Sequence, residues 1–502
     1  MAGAIKKLAK DTAIYGLSSI VGRFLNWMLV PMYTRVLVST GDYGIVTNLY
    51  GWAALLLVLL TYGMETGFFR FMNKEGENAD TVYTTSLVSL FASSLIFILF
   101  IAVFLSPISS MLGYAEMKDL VMMLAVVVAM DAFCSIPFAY LRHKNRPIRF
   151  AFLKLLFIGL NIGLNLFFLL LAPRLYKTAP ASVSWFYNPT YQVGYIFVSN
   201  LIATSIVLVA LLPYFLKIKF RFDGDVLKRI LKYSFPMLIL GIAGIFNQTA
   251  DKIIFPLLFD DRGYANEQLG IYGACFKIAV ILVMFVQAFR FAYEPFIFSR
   301  IKQAEAKATY AQAMHYFIIV ALFAFLGVML FLDVLRHFVG EKYYAGLVVV
   351  PIVMMGEVFY GIYYNLSLWY KLTDQTRWGA YFSFFGCFFT VVIILFFAPR
   401  FGFIACAWAS FICNLAMVLA SYFVGQKKFP IAYNLRAAFF YFALTIILYV
   451  SDLYIAKTKI ALSCVIFNYV YKVLLIGVFV AATIWRGDFI ANKIPEVKKT
   501  EF

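Results

Sequence analysis

Nine charged side chains lie inside stretches that are otherwise apolar: Arg23, Glu65, Asp131, Lys154, Asp251, Lys252, Lys277, Glu357 and Lys472. A charge at the centre of a bilayer costs at least about 2.5–3.5 kcal/mol on insertion scales, so such residues face a cavity or a partner rather than lipid. Arg23 and Lys277 sit near the middle of their apolar runs. A guanidinium presents a planar fork of donors that grips two phosphate oxygens at once, and an ammonium is a compact point charge for the same ligand. Arg23, Lys277, Lys252 and, closer to a helix end, Arg290 are therefore candidate binding cations for an anionic substrate. The competing reading is structural: an internal pair for Arg23, a snorkelling anchor for Arg290.

The carboxylates offer a second chemistry. Glu65, Asp131, Asp251 and Glu357 are candidates for contacts to sugar hydroxyls or for coupling to sodium or a proton. Each has a structural alternative. Glu65 has Arg70 or Arg23 within reach, Asp131 and Glu357 have lysines and hydroxyls in their own bundle, and Asp251 can bond a neighbouring helix. Asp251 and Lys252 are adjacent, so on a helix they point about 100° apart and are not expected to meet. Lys154 can snorkel, Lys472 can pair within the C-terminal helices or reach headgroups, and Arg35 can anchor a helix end or partner Asp42.

The elements that hold these charges follow from composition. The chain is 63% hydrophobic and 14% charged, against about 45–50% and about 25% for a soluble domain. It is an integral membrane protein. Open sheets cannot span lipid, and the apolar runs are too long for barrel strands, so the fold is all-α. Fourteen runs are long enough to cross: 12–37, 44–68, 83–107, 119–140, 149–172, 192–215, 233–259, 267–290, 311–335, 345–370, 377–398, 402–424, 437–454 and 460–485. With the N-terminus inside, 28 of the 43 Lys and Arg fall in cytoplasmic segments and 10 in outer ones. A miscounted span would invert every later loop and erase that asymmetry, so fourteen spans with both termini cytoplasmic is the expected topology. Lys6, Lys7 and Lys10 precede a run too long for a signal h-region, which stays as the first helix.

The net charge of +18 then reads as cytoplasmic Lys and Arg and attraction to anionic lipid, not nucleic acid. The six cysteines all lie in apolar segments without a CxxC pair, as small core residues do. Three unclustered histidines and the lack of a P-loop, a GxSxG elbow or an HExxH motif give no enzyme, metal or cofactor site.

An internal repeat sets the organisation. Aligning Leu37 with Leu258 matches Asn26 to Asn247 and puts Gly22-Arg23 opposite Ala243-Gly244; after a five-residue insertion Gly44-Ile45 meets Gly270-Ile271. Spans 1 and 7 both start inside, so the halves are expected to be parallel repeats about an axis along the membrane normal, a transporter design. Both carry helix breakers: Gly16, Gly22 and Pro31 in one, Pro236, Gly241, Gly244 and Pro256 in the other. The expected domains are 1–216 and 233–428, two six-helix bundles around a central cavity, joined by a cytoplasmic loop 217–232, with two extra helices and a tail in 429–502.

The run Pro31-Met32-Tyr33-Thr34-Arg35-Val36-Leu37 with Asp42-Tyr43-Gly44 is similar to the first hairpin of bacterial polysaccharide flippases. Tyr233-Ser234-Phe235-Pro236, Asp251-Lys252 and Leu269-Gly270-Ile271-Tyr272 resemble the start of their second half, with Lys252 where many members carry Arg. This resemblance, over essentially the whole chain, implies a bacterial inner-membrane protein that moves undecaprenyl-diphosphate-linked oligosaccharide outward for O-antigen, capsule or exopolysaccharide assembly. It implies glycosyltransferases upstream and a polysaccharide polymerase downstream, no cofactor, and a sodium or proton gradient or product removal as driving force. A lipid II flippase and a cation-coupled multidrug antiporter, from the same larger group, are the alternatives.

Overall fold

The computed structural model describes residues 20–216, 220–299, 306–373, 375–456 and 465–487. The N-terminal lysines, Gly16, the start of the first span, Lys217 and Lys219, Arg300 and Lys302, Lys457 and Lys459, Cys464 and the tail lysines lie outside these residues. All regular structure in the described residues is helical. Among the described residues, thirteen helices are long and apolar enough to cross a membrane, and they coincide one for one with the expected spans 2 to 14. Of the first span, the described part is helical over 20–27 (α1) and again over Val30–Val36 (α2). The break precedes Pro31, which has no N–H to bond the carbonyl one turn back.

The remaining long helices are α3 (Thr40–Thr61), α4 (Met64–Met72), α5 (Ala79–Val103), α6 (Lys118–His143), α7 (Pro147–Leu166), α8 (Gln192–Leu216), α9 (Gly224–Ile254) and α10 (Arg262–Ser299). They continue with α11 (Ala306–Leu330), α12 (Val350–Leu366), α13 (Arg377–Phe401), α14 (Phe403–Lys428), α15 (Leu435–Ala456) and α16 (Val465–Trp485). The chain packs as two compact units. One comprises Met1–Lys277, Val339–Gly346 and Gly386–Ser410; the other comprises Ile278–Phe338, Leu347–Phe385 and Phe411–Phe502.

In the first unit, α6 packs against α3, α5 and α8, and α9 lies along α3 and α4. Met64, Phe68, Tyr83, Ile136 and Ile230 form a dry core where α4, α5, α6 and α9 meet. The second span bends between α3 and α4 at Tyr62 (φ 34°) and Gly63 (φ 70°). Gly63 is needed twice: its φ is left-handed, and a Cβ there would press on the Ser234 carbonyl oxygen of α9 at 2.8 Å. The outward end of α2 is closed by a distant segment. Gly340 donates its N–H to Thr34 Oγ1 at 3.1 Å, and Lys342 donates to the carbonyls of Leu37 and Val38, a cation where the helix dipole is negative. Asp42 and Ser39 form a reciprocal capping box at the start of α3.

The repeat has a physical counterpart here. A Cβ on Gly44 would collide with the backbone of Asn266, and one on Gly270 with the backbone of Thr40. Each glycine therefore rests on the residue one turn before its repeat-equivalent. The two matched helix starts cross each other symmetrically, backbone on backbone, as small residues permit.

In the second unit, α11 packs against α12, α15 and α16. Phe317 of α11 is 1% exposed and lies on Gly361 of α12, where a Cβ would strike its ring. Lys472 of α16 is buried and pairs with Asp333 at 3.0 Å. Its ion-pair partner comes from the end of the ninth span, and Asp452 of α15, within the appended pair, is a second acidic neighbour. Desolvating a lysine on that helix requires a carboxylate, and Asp333 supplies it.

Candidate functional site

In the first unit, Trp27 holds the first span to the eighth. Its indole N–H donates to the Lys277 carbonyl at 2.6 Å. Arg23 is one helical turn before Trp27, so it lies within about 6 Å, in depth, of that contact. Arg23 and Asn26 are exposed while Gly22 beside them is buried, against the Ile158 side chain. Lys277 is partly buried and close enough to Lys252 for the two charges to interact. Three of the four candidate cations thus gather in this unit.

Lys252 departs from expectation. Although adjacent, it and Asp251 do meet: Nζ lies 2.9 Å from Oδ1 and 2.8 Å from Oδ2. The Cβ directions diverge, but a four-carbon stem can fold back along the helix, and it also reaches the Gln248 carbonyl at 3.1 Å. The ammonium stands 4.4 Å from the Phe276 ring. Asp251 is buried and accepts from the Tyr272 hydroxyl at 2.6 Å, so α9 and α10 are joined through it. Asn48 of α3 donates to the Lys252 carbonyl at 2.7 Å and accepts from Tyr114 at 2.9 Å; Tyr114 also reaches Asn266 at 3.4 Å. These polar residues did not stand out in the sequence, because Asn48 within a span, and Tyr114 and Asn266 outside the spans, carry no charge to flag them.

The carboxylates take structural partners. Glu65 pairs with Arg142 of α6, not with Arg70, whose guanidinium lies 4.1 Å from the Tyr233 ring, nor with Arg23. The reason is register: α4 packs beside α6, which puts the cytoplasmic-end arginine of one helix beside the glutamate of the other. Asp131 of α6 and Lys154 of α7 are electrostatic neighbours, and Lys154 also stands 4.2 Å from the Phe138 ring. Arg35 donates to the Pro31 carbonyl at 2.9 Å.

In the second unit, Glu357 is partly buried on α12. Arg290 is exposed and its guanidinium lies 4.6 Å from the Tyr364 ring, while Lys371 Nζ lies 4.4 Å from the same ring. Two cations therefore share one aromatic ring, each held by attraction to its quadrupole. The unit also has an almost wholly apolar groove of about 650 Å³ between α11, α12, α14 and α15, lined by Met314, Ile318, Phe359, Leu415, Tyr422 and Phe442 among others.

This fold is similar to that of "Lipid II flippase MurJ, inward closed conformation", with a TM-score of 0.73 over 95% of this chain and 99% of that one, at 14% identity. It also resembles an inward-facing multidrug resistance MATE family transporter of the MOP superfamily, with a TM-score of 0.59 over 84% and 97% at 14% identity. An outward-facing multidrug resistance MATE family transporter of the same superfamily matches with a TM-score of 0.56 over 83% and 95% at 13% identity. No curated protein matches the sequence. The sequence model of the family described as "Polysaccharide biosynthesis protein" matches residues 8–300, which takes in α1 to α9, all of α10 and every motif of the repeat. The chain belongs to the polysaccharide biosynthesis protein family.

Proposed function

We propose that the chain flips lipid-diphosphate-linked oligosaccharide units across a bacterial plasma membrane by alternating access of its two six-span repeats. Arg23 and Lys277 are the phosphate ligands in this reading. Lys252, held by Asp251, orients the neighbourhood rather than ligating directly, and Arg290 receives the anionic headgroup from the cytoplasmic side. The observation that carries the proposal is the bond from Trp27 to the Lys277 carbonyl at 2.6 Å, one helical turn from Arg23. The Asp251–Lys252 pair is neutral as a unit, and Arg23 and Lys277 supply charged donors suited to a diphosphate. The apolar groove of the second unit has the chemistry of a polyprenyl tail site. Family membership supports a glycan-bearing substrate, built by glycosyltransferases and consumed by a polymerase, in O-antigen, capsule or exopolysaccharide assembly. Asp131, Glu65 and Glu357 are the carboxylates through which sodium or proton coupling would act.

The test is translocation of undecaprenyl-diphosphate-linked glycan in proteoliposomes. Wild type moves the lipid; Arg23→Ala and Lys277→Ala insert normally and lose at least about tenfold in rate, the loss of one charge-assisted contact of about 1.5–3 kcal/mol. Full activity in both variants would refute the site. A second reading, lipid II transport, is favoured by the near-complete overlap with the MurJ fold; it predicts that lipid II is moved faster than other lipid-linked glycans in the same assay. Exchange of small organic cations for sodium or protons, with no lipid movement, would instead support a multidrug antiporter, which the excess of cations argues against.

A further inference from the structure

A second pocket lies away from the residues above. It occupies about 610 Å³ in the first unit, where the ends of α6, α7 and α8 meet. Lys144, Arg146 and Arg149 line it, with Tyr140 and Tyr214 as walls and Leu141, Ala210 and Pro213 as an apolar floor. No carboxylate lines it among the described residues. The cations are held on one edge by a tight turn. Asn145 adopts a left-handed φ of 50°, and Arg146 N–H bonds the Leu141 carbonyl at 2.9 Å, so the turn between α6 and α7 is closed by its own backbone.

The walls are fixed. Tyr83 donates to the Tyr214 carbonyl at 3.2 Å, and its ring lies tilted against that of Tyr140 with centroids 4.5 Å apart. The Tyr214 hydroxyl accepts from Arg149 Nη1 at 3.0 Å, which leaves further guanidinium donors directed elsewhere. All three cations are exposed. Between two of them Ile148 is 76% exposed, an apolar side chain set among charges. Water alone does not reward that arrangement, whereas the boundary between headgroups and acyl chains does.

We propose that this pocket binds the phosphate of an anionic phospholipid headgroup, with the lysine and arginines as ligands and Ile148 and the apolar floor against the glycerol and acyl region. Basic pockets between membrane helices on the cytoplasmic side recognise such headgroups, and the loop 142–149 is one that charge asymmetry assigns to that side. The pocket takes no part in the transport site proposed above and does not depend on the identity of the transported glycan.

The experiment uses the full chain in phosphatidylcholine nanodiscs doped with phosphatidylglycerol, with retained lipid counted by native mass spectrometry. Wild type retains phosphatidylglycerol in preference to phosphatidylcholine. Arg146→Gln lowers that preference by about fivefold, and Arg146→Gln with Arg149→Gln by about 25-fold, from about 1 kcal/mol per basic residue at the membrane surface. The Arg146 side chain is exposed, so its loss leaves folding intact. Lys427→Gln removes an equal charge from the end of α14 and leaves the preference unchanged. An equal effect of Lys427→Gln, no effect of the arginine variants, or displacement of the lipid by inorganic phosphate would each overturn the proposal.

Discussion

The charges inside this membrane protein divide by what they touch. Lys252, Lys472 and Glu65 each bond an opposite charge, so each partly cancels its own desolvation. Asp251 is the tightest case, because one buried carboxylate accepts from both Lys252 and Tyr272. Tyr272→Phe keeps the ring and deletes the donor. We expect it to destabilise the protein by about 1–3 kcal/mol, the penalty for a buried group left short of a partner, read as a lower thermal transition in detergent. Asp251→Asn with Tyr272→Phe should cost less than the two single losses added together, because the residues share one bond; strict additivity would remove Asp251 from the α9–α10 joint. At this scale the sequence named which residues carry charge and misnamed several partners. Glu65 takes Arg142, 77 positions on, and sequence spacing carries no information on that distance.

At the scale of elements, the crossing of α3 and α10 is the strictest contact in the first unit. Gly44 and Gly270 stand where any side chain would enter the opposite backbone. Backbone cannot yield as a flexible side chain does, so the helices must part. Gly270→Ala should cost about 3 kcal/mol or more, in the range reserved for core overpacking and disrupted networks, and should lower the yield of folded protein. Gly159→Ala, on α7 where a Cβ meets nothing within 4 Å, should be neutral or stabilising by up to about 1 kcal/mol through helix propensity. Equal effects at the two positions, measured as thermal shifts in the same detergent, would mean that the crossing is not as close as described. The alignment of Gly44 with Gly270 was visible in the sequence. That the two helices press on each other there was not, because an alignment relates equivalent positions without saying that they touch.

For the whole molecule, the distribution of Lys and Arg predicts orientation. Reporter fusions after Lys428 and after Trp485 should both read as cytoplasmic, since two spans separate them, and a fusion within the loop 173–191 should read as external. A cytoplasmic reading for the 173–191 loop would displace the count of spans before it. The sequence by itself determined that the chain is all-helical, where thirteen of its spans run, and that matching segments recur in its two halves. The physical reason is that the hydrocarbon core offers no hydrogen bonds, so each span must be a self-satisfied apolar helix legible from local composition. Only the tertiary structure decided which charges share a neighbourhood. Trp27 and Lys277 are 250 residues apart, Asn48 and Lys252 are 204 apart, and Thr34 and Gly340 are 306 apart. Such pairings are set by how whole helices pack and how long side chains bend within that packing, which no local pattern along the chain encodes.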